Sequence, residues 1–270
     1  LLSSATVALV TLRHGIKEGL AVGLIAGLAS GLLAFAVLGS PLPALGFAAA
    51  LWLPVWVLGM VLRHTRSLSF TIQLASLIGL IIVLALRLGT ADPVAYWGEI
   101  LEPVRQNLVE GQVIDEAGSR ELVGQVAQWM TGAFAATFYF QVLLALFLGR
   151  WWQSLLYNPG GFGEEFRNLR LDRPVGFRGL GLLAVLLLDK DARWAADLLL
   201  LISPLLFLQG LALVHALVRI FEVGKGWLVG VYALLILTMP HAEILIAGLG
   251  LADVWMDVRA RAQARKSKEN

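Results

Sequence analysis

The chain has no cysteine, which removes disulfides, thiolate metal sites, thiolate-held iron–sulfur clusters and cysteine nucleophiles at once. It is also poor in charge. Asp, Glu, Lys and Arg make up 15% of its 270 residues, where a soluble globular domain carries about a quarter. Too little charge is left to cover a water-facing surface of this size. Histidine is scarce: four residues, at 14, 64, 215 and 241, with no His-x-x-x-His pair on one helix to hold zinc. His241-Ala242-Glu243 has the His-x-Glu spacing of zinc deaminases but lacks their cysteines. No Gly-x-Ser-x-Gly nucleophile elbow occurs. Metal, cofactor and enzyme templates all fail, and the reading is of a non-enzymatic chain with no metal site. Nucleic-acid binding has only a short basic tail in its favour, and that tail is more simply an anchor beside anionic lipid.

Apolar length is what the chain has in abundance, with 58% hydrophobic residues and a mean hydropathy of +0.77. A spanning helix needs about 20 apolar residues to cross roughly 30 Å of hydrocarbon, and it satisfies its backbone polar groups internally. Gly19–Gly39, Ala44–Leu62, Phe70–Leu88 and Val126–Leu148 meet that test, and Asp197–Val218 is a fifth. Val175–Leu188 is apolar but short. Gly226–Met256 is long but interrupted by Pro240, so it is one kinked helix or two short spans hinged near His241. The opening run Leu1–Leu12 is too short to span and suits the remainder of a longer helix. The expected fold is all-α: a single integral domain over 1–270, a multi-spanning transmembrane bundle of about six to nine membrane helices.

Loop charge orients the bundle. Arg13–Lys17, Arg63–Arg66, Arg150–Arg178 and the tail with Arg259, Arg261, Arg265, Lys266 and Lys268 are basic. The loop 90–125 holds Asp92, Glu99, Glu102, Glu110, Asp115, Glu116 and Glu121 against Arg105 and Arg120. The loop 150–175 and the tail 257–270 are therefore expected in the cytoplasm, the acidic loop outside, and the chain in a bacterial inner membrane. The tail returns to the cytoplasm only if Gly226–Met256 crosses twice and Val175–Leu188 crosses too. Within the acidic loop, Tyr96, Trp97, Ile100, Val104 and Leu108 recur at helical spacing, with Pro103 as a candidate break. They describe a short amphipathic helix, lying on the membrane face or packed on the protein's own loops.

Three features stand out. Gly15, Gly19, Gly23, Gly27 and Gly31 repeat every four residues on one helix face, the small-xxx-small pattern of membrane helix association. They serve packing within the chain or docking of a partner subunit, and Gly23→Leu is expected to disrupt either. Around Arg150, Trp151, Trp152, Asn158, Pro159, Gly160 and Gly161 lies an elbow with interfacial aromatics and a strong turn signal. It is a structural bend or a docking surface. Its Gly-Gly-x-Gly lacks the Lys-Ser/Thr of a phosphate loop. Finally, Gln73, Gln141, Gln209, His215 and Glu243 lie at membrane depth, where polar groups are functional candidates. Gln73, Gln141, Gln209 and Glu243 are the candidate ligand-binding set. Arg87 ends its span where its stem can snorkel, and Asp253, Asp257 and Arg261 resemble a surface ladder.

Thr11-Leu12-Arg13-His14-Gly15 with its glycine series, the Gly149–Phe166 elbow, and Gln209-Gly210-Leu211-Ala212-Leu213-Val214-His215 with Leu249–Asp257 together resemble the YybS-like family of bacterial inner-membrane proteins. The resemblance covers nearly the whole chain, although family members usually begin with an additional apolar helix. That family is similar, more distantly, to the substrate-binding S-components of energy-coupling-factor transporters and to the rod-shape protein MreD. The resemblance implies a small-molecule binding or transport subunit with a cavity open to the outside and an ATPase-driven coupling module as partner. The glycine face would then dock that module. The alternative is a scaffold for envelope machinery, working through the elbow and tail. On either reading the bilayer is the first partner.

Overall fold

The computed structural model describes residues 1–224 and 226–269. Among the described residues there are twelve helices and no strand. In order they are α1 Leu2–Arg13, α2 Ile16–Leu38, α3 Leu42–Thr65, α4 Leu68–Gly89, α5 Pro93–Glu110, α6 Glu116–Tyr157, α7 Gly161–Arg167, α8 Arg173–Leu188, α9 Arg193–Ile220, α10 Gly226–Leu237, α11 His241–Met256 and α12 Val258–Glu269. Five of them, α2, α3, α4, α6 and α9, are long and apolar enough to cross a membrane. At 1.5 Å per residue, α2 to α4 are about 33–36 Å long, α9 about 42 Å and α6 about 63 Å. Large apolar side chains such as Leu32, Val37, Ile81, Leu88 and Ile236 are exposed, a surface suited to lipid rather than to water. The chain is a multi-pass membrane protein with an all-α fold.

Local chemistry sets the helix ends. Asp92 caps α5 by accepting the Val94 and Ala95 N–H groups at 2.9 and 3.3 Å, with Pro93 preorganised at the first position. Asp115 accepts the Gly118 N–H at 2.8 Å to start α6, and Ser67 accepts the Phe70 N–H at 3.2 Å to start α4. Pro103 does not break α5, which runs unbroken from Pro93 to Glu110. Gly226–Met256 is two helices: a turn with a cis Met239–Pro240 bond separates α10 from α11. At 12 and 16 residues these reach about 18 and 24 Å, each short of a full bilayer. The expected loop 150–175 is also corrected. Its first eight residues, 150–157, continue α6, because nothing in Arg150–Tyr157 stops a helix before Asn158-Pro159-Gly160.

The chain divides into two compact units. Unit 1 is Leu1–Ala75, Tyr139–Leu171 and the chain from Leu206 onward; unit 2 is Ser76–Phe138 and Asp172–Leu205. The helices α4, α6 and α9 contribute residues to both.

In unit 1, α1 is a buried strut. Ser4, Ala5, Val7, Ala8, Thr11 and Leu12 are all enclosed. Gly149 of α6 lets α1 approach closely: a Cβ there would lie 2.6 Å from the Ala5 carbonyl and from Ala8 Cβ. Gly15 breaks α1 from α2 at φ +140°, a region open to glycine and strained for other residues. It is therefore the joint before the glycine face rather than the face's first member.

Bonds gather the basic segments of unit 1. Arg63 donates to the Leu12 carbonyl at 2.6 Å, the Arg170 N–H to Ser69 Oγ at 3.0 Å, and Arg259 to the Arg167 carbonyl at 2.7 Å. Lys266 pairs with Glu222 at 2.6 Å, and Arg13 lies 4.0 Å over the Tyr157 ring. Segments far apart in sequence thus share one basic end of unit 1.

Candidate functional site

The most enclosed polar cluster in unit 1 centres on Gln209. Two glycines make it. Gly210 of α9 sits against the Ile246 carbonyl, and Gly250 of α11 against the Leu206 carbonyl; a Cβ at either would collide with backbone. Helices can approach this closely only where side chains are absent. One residue from Gly210, Gln209 is 1% exposed. Its Oε1 accepts the Leu171 N–H at 2.6 Å and its Nε2 donates to Asp253 Oδ2 at 3.3 Å. Asp253 Oδ1 accepts the Val258 N–H at 3.1 Å, and its Oδ2 faces Arg259 Nη2 at 3.3 Å.

Burial holds the Arg259 guanidinium below its ordinary value, with Asp253 opposing that shift. Its Nε and Nη2 are buried without a hydrogen bond, so the Asp253 charge at 3.3 Å is their main compensation. Beside this cluster Arg170 pairs with Asp257 at 3.0 Å and holds that carboxyl below its usual range. Asp253 is buried and α11 ends at Met256. The expected ladder of Asp253, Asp257 and Arg261 is therefore not a surface ladder.

Chemically this cluster is a clamp. It joins α9, α11, α12 and the segment 167–171 through one amide, one carboxylate and one guanidinium. Among the described residues no group of three His, Asp or Glu could hold a metal ion.

The other members of the ligand-binding set are not drawn into the clamp. Gln73 donates to the Ser69 carbonyl one turn back, at 3.1 Å, and makes a further contact. Gln141 and Glu243 are half-buried, on α6 and in the first turn of α11. His215 Nδ1 lies 2.9 Å from the Leu211 carbonyl and its ring packs edge-on against Phe166 and Tyr232.

The two cavities described below lie elsewhere in unit 1, and neither is lined by Gln73, Gln141, Gln209 or Glu243. The first is polar, about 370 Å³, and lies at the elbow. Arg66, Ser67 and Ser69 line one side and Asn158, Glu164 and Glu165 the other. The elbow is firmly built. Arg150 forks onto both oxygens of Glu165, the bidentate geometry that suits guanidinium. Ser154 Oγ donates to the Asn158 carbonyl at 2.9 Å and accepts the Phe162 N–H at 3.2 Å. Gly160 turns the chain at φ +88°, and Gly161 leaves room for the Asn158 side chain. Trp152 is half-buried and Trp151, Leu155, Leu156 and Tyr157 are exposed.

The second cavity is apolar, about 250 Å³, between α2 and α3 with Val7 of α1 at its side. Gly19, Gly23 and Gly27 line it, but the glycines differ in what they meet. Thr11 fills the space at Gly19, and Leu45 lies 3.1 Å from a Cβ at Gly31. Trp52 lies 3.9 Å from one at Gly27, and nothing lies within 4 Å of one at Gly23. Packing within the chain therefore accounts for Gly19 and Gly31. At Gly23 no close neighbour supports the expectation that Gly23→Leu disrupts packing: no atom lies within 4 Å of an added Cβ.

Unit 2 holds a polar site that the sequence reading left unjoined. Asp197 of α9 is 1% exposed. It accepts from Arg87 Nε and Nη2 at 2.7 and 2.5 Å, and from the Gly132 N–H of α6 at 3.0 Å. A Cβ at Gly132 would lie 2.6 Å from Asp197 Cα, so this glycine is what admits α9. Nearby on α6, Thr131 accepts the Trp97 indole N–H at 2.9 Å, tying α5 to α6. Arg87 is thus paired rather than free to snorkel. The signal was present: each of these two charges stands at the end of a long apolar run, where charges pair with one another.

No family model, no curated protein and no solved structure matches this chain.

Proposed function

We propose that this chain is a non-enzymatic scaffold of cell-envelope assembly in the bacterial inner membrane, acting through protein contacts at the basic, cytoplasm-facing end of unit 1. One observation carries the reading. Beyond Arg150, α6 presents Trp151, Leu155, Leu156 and Tyr157 to the outside, on an elbow held in one shape by the Arg150–Glu165 fork and the Ser154 bonds. Rigid aromatic anchors on a supported element suit a protein interface. The distant similarity of the YybS-like family to MreD agrees with this reading, as its similarity to S-components agrees with the second reading below. In the Gln209 clamp both polar atoms of the amide are already engaged within the chain, and the residue is 1% exposed.

The test is a photo-crosslinking residue at Leu155 in growing cells. A discrete adduct with an envelope-assembly protein, lost in Trp151→Ala, is the expected result. Adducts with lipid alone would make the patch an interfacial belt and end the scaffold reading.

A second reading is an S-component-like small-molecule subunit. It is supported by Glu243, a half-buried carboxylate in the apolar α10–α11 hairpin, since an ionisable group at membrane depth is a functional candidate. On that reading a retained metabolite appears in the native mass spectrum and disappears in Glu243→Gln.

A further inference from the structure

We infer that the apolar groove between α2 and α3 is a lipid site, seating one acyl chain of an anionic phospholipid whose headgroup lies at Lys17. The inference rests on the bilayer alone, not on the scaffold reading.

The starting point is Gly23. Glycine is a poor helix former, and its usual reason in a membrane helix is the close approach of a neighbouring backbone. That reason holds for Gly19, against Thr11, and for Gly31, against Leu45. It fails for Gly23, where a side chain would meet open space. Yet Gly23 lies in the middle of the groove floor, with Gly19 and Gly27 on either side and Trp52 and Trp56 opposite. At Gly23 and Gly27, two successive turns of α2 are kept bare over a furrow that the chain does not fill. The two indoles are held in place as its far wall: Trp52 donates to Ser3 Oγ at 3.2 Å and Trp56 to the Ile16 carbonyl at 2.9 Å.

Size selects the occupant. The groove residues on α2 run from Gly19 to Leu28, about 14 Å along the axis, close to the depth of one leaflet of a roughly 30 Å core. A helix with its side chains is about 10 Å across, and the groove is a furrow of about 250 Å³ floored by α2. A partner helix could rest on the groove but not enter it, whereas a slender hydrocarbon chain fits within it. The rims, Leu24 and Leu28, are exposed at 58% and 65%, so the furrow opens sideways where a spanning helix meets lipid.

Charge selects the headgroup. Lys17, Leu20, Leu24 and Leu28 follow one another at helical spacing on one face of α2. Lys17 is exposed, one turn beyond the first wall residue, at the basic end. A lysine there reaches a phosphate with its flexible stem, and anionic lipid is drawn to basic juxtamembrane groups.

The test uses the full chain, delipidated in detergent and titrated with phosphatidylglycerol or phosphatidylcholine, read by native mass spectrometry and Tm. The expected result is one phosphatidylglycerol retained per chain with a raised Tm. Gly23→Leu should weaken that retention at least tenfold while leaving the lipid-free Tm unchanged or higher. Gly27→Leu, whose Cβ meets only ordinary contact, should do the same. Lys17→Gln should keep the chain-dependent binding and abolish the preference for phosphatidylglycerol. Retention unaffected by either leucine overturns the site. So does a lower lipid-free Tm in both leucine variants, which would mean that protein packs there. A dimer broken by Gly23→Leu with lipid binding unchanged would make the occupant a second copy and equally overturn it.

Discussion

Unit 1 and unit 2 are built from the same kind of apolar helix and hold polar groups in opposite ways. Unit 1 carries fourteen Lys and Arg against eight Asp and Glu, and unit 2 seven against eleven. In unit 1 the buried polar network centres on the neutral Gln209, and the charges around it, Asp253 and Arg259, are shared among four segments. In unit 2 the buried site centres on the acidic Asp197, which is met by a single cation and one backbone N–H. Both units admit their polar site through glycine: Gly210 and Gly250 in one, Gly132 in the other. Close helix approach comes first in each, and the polar pairing is possible because water has been excluded from the crossing. The difference lies in redundancy. A network spreads the consequence of losing one member, while an isolated pair loses everything at once but can be replaced as a pair.

The sharpest test of this contrast is sidedness, because basic segments favour the cytoplasmic side and the two units differ in the sign of their net charge. Ala117 of unit 2 and Ser267 of unit 1 are both exposed. With cysteine introduced at each in turn, an impermeant maleimide added to intact cells should label Ala117→Cys and leave Ser267→Cys untouched. Labelling of both from one side would dissolve the charge contrast.

Next in size is Asp253→Ala. It leaves the enclosed Arg259 charge uncompensated and strands the Gln209 amide, and removal of one partner from a buried pair costs about 3–5 kcal/mol. A large fall in Tm in detergent is expected. Asp253→Ala with Arg259→Leu should recover only part of it, since the Val258 N–H and the Gln209 Nε2 lose their Asp253 acceptor.

Asp197→Ala should cost less, about 1–3 kcal/mol, because Arg87 is 31% exposed and can turn toward water. Here the double replacement Arg87→Leu with Asp197→Leu should restore most of the Tm, as apolar replacement of an isolated buried pair often does. If both double variants behaved alike, the distinction between network and pair would fall.

How much of this was legible beforehand follows from what each feature depends on. The five long spans are written in unbroken apolar runs, and α5 in its Asp-Pro start and spaced aromatics, so both were readable. The end of α6 was not placed: a basic, aromatic stretch such as Arg150–Tyr157 suits a helix and an interfacial loop equally, and only the turn after it decides. The four-residue glycine repeat showed a face, but not that Gly15 is a joint, that Thr11 fills Gly19, or that Gly23 faces emptiness. Those facts depend on how α1 and α3 pack against α2, through contacts such as Thr11 against Gly19 and Trp56 bonded to Ile16, which the repeat itself does not encode. Gln209 was singled out by depth, yet its partners come from segments that no local pattern links to it. The Arg87–Asp197 pair was within reach, as two charges of opposite sign at the ends of their apolar runs.

The smallest expected effect belongs to the acidic loop of unit 2, where the pairing is at the surface. Arg105 forks onto Glu102 at 2.8 and 2.7 Å and holds its carboxyl at about 2, below the ordinary 4.5. A carboxylate whose folded value is depressed adds stability that is present above pH 4.5 and is lost as the pH falls through about 2. At neutral pH the pair is therefore fully formed, and because Glu102 is well exposed its effect on folding is slight. The titration itself is the cleaner readout. Carbon NMR of labelled Glu102 should give a midpoint near 2 in the parent chain, and Arg105→Gln should move it up toward the ordinary glutamate value. A midpoint already ordinary in the parent would mean that α5 holds no such fork, and that the acidic loop, unlike the basic end of unit 1, is not organised by ion pairs.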